Sequence, residues 1–329
     1  MEKILNITNG DSAVMVMQQA GIPGDFLPWR DVLHHGPVPA ALSLEQLSEV
    51  RAQFISDQGW GEPEIVIDSF TERDRKFLSF KDYSKVRLWF EHDLYDQLQI
   101  LQILDWFSDN PPETTIVTII CTEQYLGLAS PEEIMALLQH EAFIIESHLM
   151  LAKKVWAAFR SPNPTDWQGL LNEDTTILPF LNGAIVRLLE EYPDCKTGLS
   201  RTAQTALSIL SKGKCSPGEL FAKYQETEER RFMGDSSFWV ILWQLLESNP
   251  ALITSAPSMQ ITSPPSPDQK LSITMAGEKV LIVEQNWLDI VTLDRWIGGV
   301  HLTPENVWCW DSDLYDSMFK FLNFEQPDA

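Results

Sequence analysis

Apolar and polar positions alternate in blocks along the first half of the chain. Residues 4–8, ILNIT, make a short, mostly apolar run that the polar turn NGDS ends. SAVMVMQQAG then has helical spacing and closes at Gly21. GDFLPWRDVL predicts a second short strand ending near Trp29. Helical patterns cover 43–57 and 71–80. KVRLWF (85–90) reads as a strand. The run LYDQLQILQILDWF (94–107) reads as an amphipathic helix, with Leu94, Leu98 and Leu101, and Ile100, Leu104 and Phe107, repeating every three to four residues. TTIVTIIC (114–121) is the clearest strand; a helix over 130–139 and a strand at AFIIES follow. Strands that alternate with helices imply βαβ units, and continuous apolar strands imply burial on both faces. Residues 1–150 are therefore expected to form an α/β domain with a Rossmann-like open parallel sheet.

Residues 151–195 read as a helical linker with a loop at SPNPTD. From 196 to 329 the pattern changes. TALSILSKGKCSPGELFAKYQE and SSFWVILWQLLESN predict three short helices. ALITSA and KLSITMAGEKVLI, separated by the Pro-rich loop SPPSPDQ, predict a two-stranded wing. The outline is a winged-helix-like α+β domain with a Trp-rich C-terminal segment.

Composition narrows the function classes. The chain has 329 residues, 44% of them hydrophobic, with 12 Trp and 16 Phe, enough for more than one core. No uninterrupted apolar window of about 18 residues exists, so no membrane span is expected. The N-terminus lacks the pattern of a signal peptide. Cys121, Cys195, Cys215 and Cys309 are scattered and form no CxxC pair, which argues against a structural zinc site and for a reducing cytoplasm. A net charge of −23 disfavours phosphate backbones and anionic membranes and favours cationic partners, divalent metals included. Between Arg201 and Thr254 six basic residues balance six acidic ones, so the winged-helix outline carries no basic patch. SSFWVILWQLLES is apolar almost all round and is expected to be buried rather than to read a groove. Nucleic acid is not an expected partner; a homodimer through the C-terminal domain is.

Polar residues concentrate where an open α/β sheet binds ligands, outside the carboxyl ends of its strands. The first strand ends in Asn9, Gly10, Asp11 and Ser12; the second in Trp29, Arg30 and Asp31, with His34 and His35 soon after. The third ends in Glu91, His92 and Asp93, and the fourth in Thr122, Glu123 and Gln124. Gly10 permits a tight turn, and the helix after it offers backbone N–H groups to an anion; Asp11 or Ser12 acting as an N-cap is the plainer alternative. Arg30 is a candidate phosphate or carboxylate clamp, or else a salt-bridge partner of Asp11, Asp31 or Glu91. Glu91 and His92 suit acid/base work or metal ligation, Asp93 suits a helix cap or a ligand, and Asp96 and Gln97 lie within reach in the first helical turn. Asp11, His34 or His35, Glu91, His92 and Asp93 form a mixed His/carboxylate set of the kind that holds Mn²⁺, Fe²⁺ or Zn²⁺, although no HExxH spacing is present. The metal-ligand set expected is Glu91, His92 and Asp93.

NGDSA at 9–13, LPWRDVLHHGPVP at 27–39 and LWFEHDLYDQLQILQILDWF at 88–107 resemble the bacterial family that carries domain of unknown function 1835. KVWAAFRSPNP, LPFL, LLEEYPD, GLSRT and DRWIGGVHL resemble its later blocks. The resemblance implies that His34, rather than His35, is the functional histidine; it carries no activity over to this chain. The expectation from the residues is an enzyme that hydrolyses or transfers a phosphate-containing small molecule. Asn9, Gly10, Asp11, Ser12, Arg30, Asp96, Gln97 and Glu123 would bind the ligand; His34, Glu91 and His92 would do the chemistry, and a divalent metal would be the cofactor. The alternative is a non-catalytic ligand sensor or adaptor that contacts proteins through its C-terminal domain.

Overall fold

The computed structural model describes residues 3–258, 260–261 and 265–311, and the backbone of 319–321. Its first strands follow the apolar runs: β1 (Ile4–Thr8), β2 (Asp25–Pro28), a two-residue β3 (Gly36–Pro37), β4 (Lys85–Glu91), β5 (Ile116–Thr122) and β6 (Ala142–Phe143). Five of them form one sheet in the order β2-β1-β4-β5-β6. β2, β1, β4 and β5 are parallel, and β6 joins the edge antiparallel. This is the Rossmann-like sheet expected. The strand expected at AFIIES shrinks to β6, because Phe143 and Ile145 are exposed and the next helix begins at Glu146.

The order has a consequence for function. The chain winds outward from β1 to β2, then returns to the other side of β1 to lay down β4. Between β1 and β4 the order reverses, and open α/β sheets bind ligands at the carboxyl ends of the strands at such a point. In register, Thr8 lies beside Trp89, so β4 runs two residues further, to Glu91.

Helices α1 (Asp11–Gln19), α2 (Leu44–Asp57), α3 (Pro63–Leu78), α4 (Leu94–Asp109), α5 (Pro131–Leu137) and α6 (Glu146–Phe159) surround the sheet. α3 starts earlier than its periodicity predicts because Pro63 occupies the first turn, where its missing N–H costs nothing. Ser43 with Gln46 and Ser130 with Glu133 close capping boxes on α2 and α5. Gly24, at φ +114°, turns the chain into β2; a Cβ there would sit 2.5 Å from the Ile4 carbonyl oxygen.

Spacing marks α4 as amphipathic, yet Asp96, Gln97, Gln99 and Gln102 are buried along with its apolar face. Three of the four amide and carboxyl side chains bond the neighbouring strand ends through one atom each. Gln97 Nε2 donates to the Glu91 carbonyl (2.8 Å), Gln99 Nε2 to the Asp31 carbonyl (2.9 Å), and Gln102 Oε1 accepts from Trp29 Nε1 (2.8 Å). Buried polar groups persist only when bonded in this way. α4 thus ties the ends of β2 and β4 together. Trp89, Ile120, Met17 and Ile134 fill the core under α1 and α5; Trp29, Phe77, Trp106 and Phe107 fill another, with ring centroids 4.6–5.4 Å apart among their contacts. Each such side chain contributes roughly 1.5–3 kcal/mol by leaving water.

The chain divides into two compact units: residues 1–185 with Gly298–Val300, and the remainder. The segment 151–195, expected as a linker, is shared between them. The second unit contains α9 (Arg201–Ser211), α10 (Pro217–Gln225) and α11 (Asp235–Glu247), numbered after two short helices, α7 (Pro164–Gly169) and α8 (Leu181–Leu189). An antiparallel pair follows, β7 (Ile253–Ala256) with β8 (Lys270–Ile273). The second strand stops at Ile273 rather than running on, because Thr274 caps a new helix, α12 (Met275–Leu281). Of the loop SPPSPDQ, positions 263 and 264 lie outside the described residues. α11 buries Phe238, Trp239, Ile241, Leu242, Leu245 and Leu246, as its apolar circumference predicts. No described helix is long and apolar enough to cross a membrane.

Candidate carboxylate site at the sheet switch point

Glu91 is the last residue of β4, Asp93 the N-cap of α4 and Asp96 its third residue. The Asp93 carboxylate accepts the Asp96 backbone N–H at 3.2 Å, which starts the helix. Asp96 Oδ1 in turn accepts the Glu91 backbone N–H at 2.6 Å. This folding of the chain on itself brings one carboxylate oxygen from each of Glu91, Asp93 and Asp96 within 4.8 Å of the others. All three residues are buried, at 5%, 3% and 1% exposure. From the end of β1, Asn9 Nδ2 donates to Glu91 Oε1 (2.9 Å) and to Asp96 Oδ2 (3.0 Å). The Leu126 backbone N–H donates to the same Glu91 oxygen at 2.8 Å. The cluster therefore sits at the carboxyl ends of β1 and β4.

Its electrostatics follow from burial. Burial raises Glu91 above the ordinary glutamate range, against the lowering effect of the Leu126 N–H and the Asn9 amide. Burial raises Asp96 further, reinforced by the charges of Asp93 and Glu91. Carboxyls held this close in a buried site favour a bound cation or a shared proton. Beneath them, burial pushes the Cys121 thiol up to about 12, which keeps it an unreactive thiol.

A second layer lies around this cluster. Tyr95, whose hydroxyl burial raises out of its ordinary range, donates to the Asn9 carbonyl at 3.5 Å. The buried His34 ring packs against Tyr95 at 6.0 Å between centroids. The His35 ring lies instead between Phe54 and Trp60, each at 5.5 Å, so the adjacent histidines do point apart. The loop that carries them is held from below. Arg51 donates Nε to Asp31 Oδ1 (2.9 Å) and its terminal nitrogens to the carbonyls of Val32, His35 and Pro37. Asp31 and Arg51 are both fully buried.

At the outer edge, Asp11 and Arg30 form a bidentate pair at 2.6 and 2.7 Å, and both side chains are largely exposed. The guanidinium beside it holds the Asp11 carboxyl below its usual range. Of the alternatives for Arg30, the salt bridge to Asp11 is the one formed.

The structure thus brings Asn9, Glu91, Asp93 and Asp96 together and leaves other candidates aside. His92 does not join the cluster. Its ring packs near Tyr125 and Phe180. Against the expected metal-ligand set of Glu91, His92 and Asp93, the ligand-type groups that converge among the described residues are those of Glu91, Asp93 and Asp96. Gln97 supports the Glu91 backbone from beneath. Glu123 is exposed and outside the cluster. Gly10 is extended, and a Cβ there would meet nothing, so the tight-turn reading falls. Gly10 itself is the N-cap of α1, so neither Asp11 nor Ser12 caps that helix. Three contributors escaped the sequence reading: Tyr95, Arg51 and the Leu126 N–H. Arg51 had a signal, since it falls on the buried face of α2 with Leu47, Ser48 and Ile55. A backbone N–H has none.

The chain matches no protein-family profile, and no curated protein is significantly similar to it, so function is argued from the geometry alone.

Proposed function

We propose that Glu91, Asp93 and Asp96 hold a divalent cation, and that the site hydrolyses or transfers a phosphate-containing small molecule bound at that cation. One observation carries this reading: three buried carboxyls converge within 4.8 Å at the switch point of a parallel sheet, where such folds bind ligands. An all-oxygen donor set suits hard cations such as Mg²⁺ or Mn²⁺ better than Zn²⁺. The cation is also what reconciles an acidic cluster with an anionic substrate. Without it the carboxylates repel phosphate; with it the phosphoryl oxygens gain a positive partner and a leaving group is easier to expel. Asn9 orients Glu91 and Asp96, Arg30 stands at the mouth already half neutralised by Asp11, and His34 is the imidazole retained for proton transfer. In the second unit, we read α9–α11 with β7–β8 as a winged-helix-like packing module, because the face of α11 that would read a groove is buried.

The experiment is a turnover screen of phosphomonoesters, phosphodiesters and nucleotides with Mn²⁺ or Mg²⁺, on wild type and Glu91→Gln. Turnover that requires the cation and disappears in Glu91→Gln supports the reading. No turnover across the panel, or equal turnover in the variant, overturns the enzymatic assignment.

A further inference from the structure

A cavity of about 300 Å³ lies apart from the carboxylate cluster, lined among others by Gln102, Asp105, Trp106, Asp109, Trp156 and Arg160. Leu42, Leu44 and Leu47 also line it, interspersed with Ser43 and Glu45. Three of its polar groups, Asp105, Arg160 and Gln102, keep capacity for a further partner.

Asp105 is half-buried and makes no ion pair among the described residues. Burial and the neighbouring Asp109 push its carboxyl up to about 6, against the opposing charges of Arg160 and Lys153, with neither of which it forms an ion pair. Asp109, one turn further along α4, pairs with Lys153. Arg160 is likewise half-buried. Its Nε and Nη2 donate to the neutral carbonyls of Pro39 (2.8 Å) and Leu42 (3.1 Å), and it meets no carboxylate within ion-pair distance among the described residues. Gln102 is 3% exposed. Trp29 Nε1 can only donate, so the bond it gives to Gln102 identifies Oε1, and Nε2 is the end left with no hydrogen-bond partner.

A half-buried anion, a half-buried cation and a buried amide donor line one cavity. Together they are the complement of one kind of molecule. We propose that this cavity binds a small zwitterion, an α-amino acid with an apolar side chain. Its ammonium pairs with Asp105, beside the face of Trp106, where an organic cation is also favoured. The carboxylate pairs with Arg160 and takes the Gln102 Nε2–H. The apolar side chain packs on Trp156 and the lining leucines. This site is independent of the cation site, and neither reading requires the other.

The test is calorimetric titration of the wild-type protein with each common L-amino acid. The best binder is then repeated as its N-acetyl and its carboxamide derivative, and against Asp105→Asn. Asp105 makes no ion pair, so the isosteric variant keeps the fold, which a thermal melt verifies. The expected result is saturable binding of an apolar amino acid, weakened at least about tenfold by blocking either charge and equally by Asp105→Asn. Two results overturn the proposal: no saturable binding of any amino acid at millimolar concentration, or binding that survives a blocked charge or Asp105→Asn. Should Asp105→Asn melt abnormally, the blocked derivatives on wild type decide alone.

Discussion

Asn9 Nδ2 donates to Asp96 Oδ2 at 3.0 Å, which joins the turn after β1 to the first turn of α4. The same amide reaches Glu91, so a single neutral side chain separates two buried carboxyls. Removing it as Asn9→Ala leaves carboxyl oxygens unsatisfied and is expected to cost ~1–3 kcal/mol. Asn9→Asp costs more at neutral pH, since it sets a fourth carboxyl against the three. Urea unfolding measures both; an Asn9→Asp protein as stable as wild type would contradict the geometry.

The loop that presents His34 depends on Arg51, and Arg51 depends on Asp31. Asp31→Ala strands a fully buried guanidinium and is expected to cost ~3–5 kcal/mol. Arg51→Met, which removes the charge while keeping the bulk, frees the loop carbonyls that Arg51 binds and makes residues 32–37 more sensitive to limited proteolysis. Equal protease resistance in the variant would show that the loop is held by something else.

Arg30 adopts φ +59°, a conformation that costs a side chain ~1–2 kcal/mol, and its pair with Asp11 is exposed. Arg30→Gly relieves the first and loses only the second. Stability is expected to change by less than ~1 kcal/mol, in either direction. If Arg30 receives phosphate at the mouth, the same variant raises KM for a phosphorylated substrate while kcat holds. A large loss of stability would mean that the pair is structural.

Two carboxyls away from the cluster give opposite pH signatures. Asp105, raised to about 6 from an unfolded value near 3.8, is held more weakly as an anion in the folded state. Wild type therefore loses stability relative to Asp105→Asn as pH rises through 6, and the two converge below pH 4. Glu141, 17% exposed, accepts from Arg87, Thr118 and Lys85, which together lower it to about 2 against the opposing effect of burial. Its contribution is present above pH 4.5 and is lost as pH falls toward 2, so Glu141→Gln is destabilised at pH 7 and not at pH 2. Thermal melts across pH 2–8 check both signs.

The parallel sheet is legible because buried strands are locally apolar, and β1, β4 and β5 announce themselves. β6 is legible only in part, because AFIIES looks like a full strand while Phe143 and Ile145 are exposed and only Ala142–Phe143 pairs. Glu91 and Asp93 stand out as polar residues at a strand end, whereas Asp96 has a ready alternative as a helix-dipole residue. His92 shows the limit of reading clusters from adjacency: it lies between Glu91 and Asp93 in sequence, yet its ring packs near Tyr125 and Phe180. Gln99 and Gln102 look like the solvent face of α4, and only the packing around that helix shows why they are inside.

The most direct test of the central claim is calorimetric titration of the untagged protein with Mn²⁺, in wild type and Asp93→Asn. Asparagine caps a helix as well as aspartate does, so the variant loses a charged ligand while keeping the start of α4. A single saturable cation per chain, bound at least about tenfold more weakly by Asp93→Asn, is the result expected. No binding in wild type, or equal binding in the variant, would contradict it and leave Glu91, Asp93 and Asp96 as a proton-sharing element of the fold.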